Sequence, residues 1–532
     1  MIFNLETPDI VIIALYFVVV FYVAWWATKR EKSESASNDY FLAGRNLGWF
    51  VIGASLFASN IGSEHLIGLA GSGFSEGVPV AQYEILAGIM LLMLGWVFVP
   101  FYLRSNVSTM PEFLEQRYDS KSRMYLSIVS VIAYVLTKIS VTIYAGGVVF
   151  EAIGMNFWFG AILLVIATGV YTVFGGLKAV VYTDMIQMFV LLGGSLTVTF
   201  FGLQMLGGWS EVVNTAPKEF FSLWRPATDT NYPWTGILFG APILGVWYWC
   251  TDQFIVQRVL SAKNLDQARK GTVFAGYLKM LPLFLFVLPG IIAYALVQKG
   301  LMHIDAPDKT LPTMVATVLP VGMRGLVVAG LFAALMSSLS SVFNSCSTLI
   351  TLDLYKKMRP NATERQLVTI GQGATILLVG FGLLWIPFMK YFSNQLFLYL
   401  QSVQAYISPP IAAVFLFGIF WKRLNSKGAI ASLVTGLVLG MIRFGAELMK
   451  DQLTGFMRYV AEINFLHFAI ILFGICTAVL VLVSLASERP DPEKIKNITY
   501  QPGASDGITK QPTFWYSLLL GAFILFLWWY LS

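Results

Sequence analysis

The chain has 532 residues, of which 57% are hydrophobic and 12% are charged, and its mean hydropathy is +0.70. Soluble globular proteins carry about a quarter charged residues, so this composition excludes that class and predicts a protein of the lipid bilayer. The net charge of +6 does not indicate a nucleic-acid partner, because the basic residues are scattered among short polar segments. Cys250, Cys346 and Cys476 lie in apolar surroundings without a framework spacing, which predicts neither a disulfide scaffold nor a thiolate metal site.

Apolar windows of about 20 residues predict about 14 membrane-spanning helices. They lie near residues 8–27, 49–72, 78–103, 124–150, 156–176, 179–205, 235–257, 273–298, 325–353, 366–389, 393–420, 428–448, 461–486 and 513–531. The polar stretches between them are too short to fold as a soluble domain, so we expect one membrane domain. The first window lacks a basic leader and a small-residue cleavage site, which favours a retained span over a signal peptide.

The basic residues predict the orientation of these helices. If the N-terminus lies outside, the cytoplasmic loops hold 24 of the 35 Lys and Arg residues, Arg258 among them, the outside loops hold 9, and 2 lie within spans. Cytoplasmic loops of membrane proteins are enriched in Lys and Arg, so this bias predicts that both termini lie outside. We expect a multi-pass protein of the plasma membrane, or of the inner membrane in a bacterium.

The second window contains the polar stretch "SLFASNIGSEHLIG", residues 55–68. Asn60, Gly62 and Ser63 are poor helix formers, so we expect the helix to be interrupted near residues 58–63. Interrupted backbone in a bilayer must be satisfied by protein, ions or a cavity, and broken helices of this kind bind ions and polar ligands at mid-membrane. The alternative is a helix-packing face of small residues.

Further ionisable residues inside predicted spans include Glu84, Lys138, Asp184, Asp252 and Lys279. Such residues are costly in lipid and usually face a polar cavity. Glu84 and Lys279 lie deep in their windows, which favours a functional role. For Lys138 and Asp252, a charge near a helix end that reaches water is an equally good explanation.

Two other stretches place polar groups within apolar spans. "LMSSLSSVFNS", residues 335–345, concentrates serine hydroxyls over about one helical turn, although serines in helices also bond back to their own carbonyls. "WYWCTDQ", residues 247–253, combines three aromatic residues with a run of polar ones. The aromatic faces suit the C–H face of a sugar and the polar groups suit its hydroxyls, although other polyols or zwitterions fit the same groups.

The sequence lacks the motifs of ATP-driven proteins and of several enzyme classes. There is no GxxxxGK[ST] phosphate loop, so ATP is not expected to drive the protein. HExxH, GxSxG and CxxC are also absent, and the chain has only 3 His residues. We therefore expect a protein that is not an enzyme.

Six stretches carry a resemblance to a known family. They are "GASLFASNIGSEHLIGLAGSG", "MPEFLEQRY", "FGGLKAVVYTD", "WYWCTDQFIVQRVLSAKN", "LMSSLSSVFNS" and "QSVQAYISPPIAAVFLFGIFWKR". In these stretches, and over nearly its full length, the chain resembles the sodium/solute symporters, specifically the sodium/glucose cotransporter branch.

The resemblance implies an all-α membrane protein with a leucine-transporter-like fold, in which two inverted repeats of five helices form the core. It implies an extra N-terminal helix at 8–27, a first repeat at 49–205 and a second at 235–420. Three C-terminal helices then follow at 428–531.

The resemblance also implies site residues. The solute site corresponds to Asn60, His65, Glu84, Trp247, Tyr248, Lys279 and Gln401. The gates correspond to Tyr248 on the inside and to Leu69, Tyr83 and Phe397 on the outside. A sodium site corresponds to the carbonyls of Ala58, Ile61 and Ala334 and the hydroxyls of Ser337 and Ser338. A second sodium site, found in part of the family, corresponds to Asp184, Ser340 and Ser341.

The function implied is sodium-coupled import of a monosaccharide such as glucose or galactose by alternating access, with the sodium ion as cofactor. Its partners would be sodium, the sugar and the lipid bilayer, with no nucleic acid. Two alternatives remain: a symporter of myo-inositol or another polyol, and a sugar-binding sensor or channel without coupled accumulation.

Overall fold

A computed structural model describes residues 5–29, 35–152, 154, 156–389, 396–500 and 511–532. Only the backbone is described at residues 63, 64, 148, 152, 385, 386, 388, 389 and 396–400. Every regular element within these ranges is a helix, and strand-like pairing there is limited to two isolated bridges. The expected all-α architecture is confirmed.

Fifteen helical segments build the membrane domain within the described ranges. They are α1 (Thr7–Lys29), α2 (Trp49–Asn60), α3 (Ser63–Glu76), α4 (Val78–Arg104), α5 (Ser120–Glu151), α6 (Phe157–Leu206), α7 (234–251), α8 (Gln253–Leu260), α9 (Leu265–Gln298), α10 (Met323–Met358), α11 (Glu364–Met389), α12 (Leu396–Phe420), α13 (Ser426–Leu448), α14 (Phe465–Leu485) and α15 (Pro512–Tyr530). Short helices such as Met110–Arg117 lie in the connections.

In the part of the chain that the structure describes, 11 of these segments are long and apolar enough to cross a membrane. The other four are the halves of two interrupted spans, α2 with α3 and α7 with α8. In addition, α6 is 50 residues long and covers two of the predicted windows. Within the described residues, each of the 14 predicted windows therefore corresponds to a helix or to an interrupted helix.

The first interruption falls between α2 and α3, where the sequence predicts it. Ile61 (φ −77°, ψ 91°) and Gly62 (φ −98°, ψ −169°) have extended backbone, and the helix resumes at Ser63. The N–H groups that would bond the carbonyls of Ala58 and Ile61 in a continuous helix bond elsewhere. Gly62 N–H donates to Asn60 O (3.0 Å) and His65 N–H donates to Gly62 O (3.1 Å).

The second interruption falls between α7 and α8. The last residues of α7, Val246–Thr251, form a π-helical turn, and Asp252 then has extended backbone (φ −78°, ψ 128°). The Asp252 carboxylate caps α8 by accepting from the N–H of Phe254 (3.4 Å). α8 thus begins as a separate helix that packs against α2.

The centre of the domain is α10, because 94% of its span is buried inside the protein. It packs along α6, and α1 packs against both of these helices. The four serines of its middle, which the sequence singles out, are all buried. α10 is therefore a scaffold against which the two broken spans are placed.

Both termini lie on one face of the domain. At the N-terminus, the Asp9 carboxylate accepts from the N–H groups of Gly322 (2.7 Å) and Gly325 (2.8 Å). At the C-terminus, Leu531 O accepts from Leu223 N–H (2.7 Å). An ion pair between Glu211 and Lys299 joins the two loops that hold these partners. This arrangement agrees with the even number of spans.

A kink at Gly176 divides α6 into its two spans. Gly176 has φ +56° and ψ −156°, a conformation that is essentially restricted to glycine. Its backbone also lies against Tyr40, whose hydroxyl donates to Val173 O (3.0 Å) just before the kink. A Cβ atom at residue 176 would overlap the Tyr40 carbonyl oxygen and lie 2.8 Å from Tyr40 Cδ2.

We expect Gly176→Ala to destabilise the protein, because alanine is strained in this conformation and collides with Tyr40. The strain alone costs about 1–3 kcal/mol. The measurement is the thermal unfolding midpoint of the detergent-solubilised protein, which should fall. Gly193→Ala is the matched control, since it lies in the same helix with nothing within 4 Å of the added Cβ. Equal midpoints for the two variants would contradict this account of the kink.

Candidate functional site

A polar cavity lies beside the two interruptions. It encloses about 710 Å³ of empty space, including solvent at its mouth. Its lining residues are Asn60, His65, Tyr83, Glu84, Leu86, Ala87, Met90, Lys138, Ala241, Leu244, Gly245, Tyr248, Trp249, Gln401 and Gln404. They come from α2, α3, α4, α5, α7 and α12, so helices from both predicted repeats meet at this cavity. Its lining of apolar and aromatic residues with a few convergent polar groups is typical of a small-molecule site.

A buried charge cluster forms one wall of the cavity. The Lys279 ammonium forms an ion pair with the Glu84 carboxylate and also donates to Asn60 Oδ1. His65 Nε2 lies 3.3 Å from the other Glu84 oxygen, and His65 Nδ1 accepts from Gly62 N–H (3.4 Å). Buried charges need such partners, because an uncompensated charge away from water is very costly. These contacts fix the directions in which Asn60, His65 and Glu84 can bond a ligand.

Tyr248 closes the other side of the cluster. Its hydroxyl accepts from Asn60 Nδ2 (2.8 Å) and from Lys138 Nζ (2.8 Å). Lys138 Nζ also lies 4.0 Å from the ring centroid of Phe254 and 4.3 Å from that of Tyr248. Cation–π contacts of this kind are strong where water is excluded. Tyr248 thereby ties α2, α5 and α7 together at one point.

Most of the predicted solute residues meet at this cavity. Asn60, His65, Glu84, Tyr248 and Gln401 line it, and Lys279 contacts two of the lining residues from behind.

The predicted outer-gate residues and Trp247 do not all line the cavity. Tyr83 lines the cavity, and its ring packs against Tyr232 of the loop before α7 (6.4 Å between centroids). Trp247 and Leu69 are buried but do not line the cavity. The Phe397 side chain lies outside the described residues.

Apart from the gate residue Tyr83, three polar or aromatic lining residues were not among the predicted solute residues: Trp249, Lys138 and Gln404. Trp249 lines the cavity where Trp247 was expected, because both lie in the π-helical turn, whose residues do not follow the α-helical register. Lys138 also lies in a π-helical turn, Val135–Ile139. Gln404 lies one turn after Gln401, so the helical period alone places it on the same face.

A cluster of oxygen atoms lies on the opposite side of the first interruption. Ser338 Oγ donates to Ser59 O (3.0 Å), which places the middle of α10 directly against the end of α2. Ser337 Oγ donates to Asp184 Oδ1 (2.6 Å). The carbonyl-bearing residues Ala58, Ile61 and Ala334 are also buried. Carbonyl and hydroxyl oxygens without nitrogen or sulfur ligands suit a hard cation such as sodium.

The Asp184 carboxylate forms the far end of this cluster. It accepts from Ser55 Oγ (2.5 Å) as well as from Ser337, and the Arg258 guanidinium lies 3.5 Å away. The sequence places Arg258 among cytoplasmic loop residues, but it is buried on α8 and its second nitrogen also donates to Ser341 Oγ. The helix α8 continues to Leu260, past the predicted end of this span at residue 257, so Arg258 is a buried helical residue and not an exposed loop residue. Ser340 is buried nearby and donates to Ser337 O (3.1 Å).

An ion-pair network lies at the start of α5 and the end of α10, on the side that the sequence predicts to be cytoplasmic. Arg123 donates to Asp353 Oδ1 (2.6 Å) and Glu115 Oε2 (2.6 Å), and Lys357 pairs with the other Glu115 oxygen (2.6 Å). Partial burial opposes ionisation of Glu115, but its bonds from Lys357 and Arg123 prevail and lower its pKa. The network joins the connection after α4 to the ends of α5 and α10.

The described residues provide no ligand set for a transition-metal ion. Within the described ranges, no group of three or more His, Cys, Asp or Glu residues could hold a metal ion. The geometry instead offers a cavity with polar groups for a small molecule and, across the same helix break, oxygen atoms that suit a small cation.

Two solved structures are similar to this fold. One is a Na⁺-coupled sialic acid symporter in a substrate-bound outward-open state, with a TM-score of 0.80 and 21% identity over 91% of this chain and 99% of that chain. The other is Mhp1, a nucleobase-cation-symport-1 family transporter in a closed conformation, with a TM-score of 0.54 and 13% identity over 86% and 97%. These similarities show that the chain has the leucine-transporter fold.

Sequence comparisons identify the family. The chain is 39% identical to sodium/myo-inositol cotransporter 2 of Bos taurus, over 93% of this chain and 79% of the relative. It is also 39% identical to sodium/glucose cotransporter 1 of Oryctolagus cuniculus, over 92% and 80%. Residues 40–436 match the family model described as the sodium:solute symporter family. The chain therefore belongs to the sodium:solute symporter family and is a transporter rather than an enzyme.

Proposed function

We propose that this symporter uses the cavity to bind a monosaccharide and the oxygen cluster to bind sodium, and that it imports both by alternating access. The observation that carries this proposal is the shared position of the two sites. Asn60 lines the cavity, while the carbonyls of Ala58 and Ile61 beside it lose their helical donors. One interruption of one helix thus serves both ligands.

The lining favours a solute with several hydroxyl groups. Asn60, Gln401 and Gln404 supply amides that both donate and accept, and Glu84 and His65 add further polar atoms. Trp249 and Tyr248 provide aromatic faces for the C–H face of a pyranose. This combination gives a hydroxylated ring both its polar and its apolar contacts.

A cyclic polyol is the second candidate. The relatives named as a sodium/myo-inositol cotransporter and a sodium/glucose cotransporter have equal identity to this chain. Myo-inositol resembles a pyranose in ring size and hydroxyl density, so the same side chains suit both. Discrimination between a pyranose and myo-inositol depends on which hydroxyl groups form hydrogen bonds with Gln401, Gln404 and Glu84.

We propose the carbonyls of Ala58, Ile61 and Ala334 and the hydroxyls of Ser337 and Ser338 as the sodium ligands. The contact between Ser338 and Ser59 supports this set, because it brings the serines of α10 to the freed end of α2. Sodium bound there would hold α2 against the scaffold. It would thereby favour the arrangement in which Asn60 faces the cavity.

Coupling to sodium supplies enough free energy for strong accumulation. One sodium ion that crosses 100 mV gains about 2.3 kcal/mol, and a tenfold sodium gradient adds about 1.4 kcal/mol. Together they support a solute gradient of roughly 500-fold for one ion. A second ion would square this ratio, so the number of sodium ions decides how far the solute can be concentrated.

Alternating access needs a gate on each side of the cavity. We propose Tyr248 as the inner gate and Tyr83, Leu69 and Phe397 as the outer gate. We also propose that the two repeats span residues 49–205 and 235–420. Each then begins with an interrupted helix, and the cavity lies between them. The protein would act in the plasma membrane or the bacterial inner membrane.

The direct test is uptake by proteoliposomes that contain the purified protein. Labelled glucose, galactose and myo-inositol are each supplied with an inward sodium gradient and, as a control, with an equal potassium gradient. We expect sodium-dependent accumulation of a hexose above its external concentration. Accumulation of myo-inositol alone would favour the second candidate. Binding without accumulation of any of the three would contradict coupled transport.

We expect Ser338→Ala to weaken sodium activation of uptake. Loss of one oxygen ligand costs about 1–2 kcal/mol, so the sodium concentration for half-maximal uptake should rise roughly 5- to 30-fold. The solute KM at saturating sodium should change little. Ser347→Ala is the matched control, because Ser347 lies on the same helix and bonds Gly371 O (2.7 Å) away from the break. Unchanged sodium activation in Ser338→Ala would remove this serine from the proposed site.

We expect Gln401→Ala to raise the solute KM by about tenfold, the effect of losing one or two hydrogen bonds, with sodium activation retained. Gln372→Ala is the matched control, since Gln372 bonds Val173 O (3.1 Å) outside the cavity. Uptake kinetics that match the wild type would show that Gln401 lines the cavity without binding the solute.

A further inference from the structure

Two of the three nitrogens of the buried Arg258 guanidinium contact groups that surround the Asp184 carboxylate. Arg258 is 1% exposed. Its Nε donates to Ser55 Oγ (2.8 Å), and its second terminal nitrogen contacts Asp184 Oδ2 (3.5 Å) and donates to Ser341 Oγ. Its first terminal nitrogen donates to Phe254 O within α8. The guanidinium therefore connects α8 to α2, α6 and α10.

The same oxygen atoms are those that a sodium ion would need. Asp184 and Ser341 belong to the second sodium site that the family resemblance implies, and Ser337, which bonds Asp184, belongs to the proposed first site. A guanidinium brings a full positive charge and cannot lose its proton in a protein. A sodium ion on the Asp184 carboxylate would meet this charge at close range, in surroundings where water does not screen it. The two cations therefore exclude one another.

We propose that Arg258 is a tethered cation that competes with a second sodium ion for Asp184. With Arg258 in place, as in this structure, the transporter holds one sodium ion. A second ion enters the space between Asp184, Ser341 and Ser340 only when the guanidinium leaves. The position of α8 thus sets the number of sodium ions bound, and this inference rests on the proposed function.

The position of α8 is linked to the solute gate as well. Phe254, at the start of α8, lies between two cations, because its ring contacts Lys138 Nζ (4.0 Å) and the Arg258 guanidinium (5.5 Å). Lys138 in turn bonds the hydroxyl of Tyr248, the proposed inner gate. Asp252 separates α8 from the helix before it. A movement of Tyr248 therefore reaches Arg258 through Lys138 and Phe254.

The test is sodium binding by Arg258→Gln in the purified full-length protein without solute. The thermal unfolding midpoint is measured against sodium concentration, with potassium added to keep the ionic strength constant. The slope of this dependence gives the number of ions bound on folding. We expect about one ion for the wild type and about two for Arg258→Gln, because the Asp184 charge then lacks its internal partner.

Three variants make the test decisive. The double variant Asp184→Asn with Arg258→Gln should return to about one ion. Arg258→Lys keeps the positive charge and should also bind about one. Arg117→Gln is the matched control for loss of a buried arginine, since Arg117 bonds only the carbonyls of Gly418, Leu424 and Trp421 in the hydrogen bonds the structure shows. Its stability should fall without any change in the number of ions.

The proposal is wrong if the dependence of the unfolding midpoint on sodium has the same slope in Arg258→Gln as in the wild type. It is also wrong if Arg258→Gln and the double variant have equal slopes. If Arg258→Gln folds only in sodium, the ion has replaced the guanidinium and the proposal is supported. If it fails in sodium and potassium alike while the double variant folds, the carboxylate does not accept sodium and the proposal is wrong. A wild-type protein with no sodium dependence would instead contradict the proposed sodium site.

Discussion

Backbone that leaves helical geometry inside a bilayer must find new partners for its amide and carbonyl groups, and this constraint organises the centre of the molecule. At residues 61 and 62 the constraint is met in two ways. Gly62 and His65 N–H groups bond locally, while the carbonyls of Ala58 and Ile61 lose their helical donors next to the serines of α10. Asn60, on the last turn before the break, lines the cavity. Ion and solute chemistry therefore share one short segment, which is the shortest physical route by which one ligand can influence the other.

The ionisable residues inside the membrane are satisfied mainly by one another. Glu84 pairs with Lys279, Asp184 pairs with Arg258, and Lys138 lies between Tyr248 and Phe254. A buried pair adds little stability by itself, because desolvation cancels much of the attraction, but removal of one partner leaves a costly unpaired charge. These contacts therefore act chiefly as positional constraints. They hold side chains from α2, α4, α5, α8 and α9 in defined directions around the cavity and the oxygen cluster.

The sequence predicts the helices and the first interruption well, because apolar windows of membrane length and the residues Asn60 and Gly62 are local signals. It also identifies Glu84 and Lys279 as deep charges. It does not reveal that Trp249 replaces Trp247 at the cavity or that Lys138 bonds Tyr248. Both depend on π-helical turns, which alter the direction of side chains and leave no clear pattern in the sequence. The sequence does not predict the burial of Arg258 for a different reason. A basic residue near a predicted helix end is usually an exposed charge on the cytoplasmic side.

Arg258 changes how the cluster around Asp184 is understood. Serine hydroxyls and a carboxylate in a buried cluster have the composition of a cation site, yet here a cation from the protein already occupies it. A protein-borne cation differs from a dissolved one because its occupancy depends on the position of a helix rather than on concentration. If sodium and the guanidinium exchange at Asp184, sodium binding would change the position of α8, and movement of α8 would change the affinity for sodium. The coupling free energy would be equal in both directions. Since Phe254 extends the same chain of contacts to Lys138 and Tyr248, ion occupancy and the solute gate would then respond to a single helix.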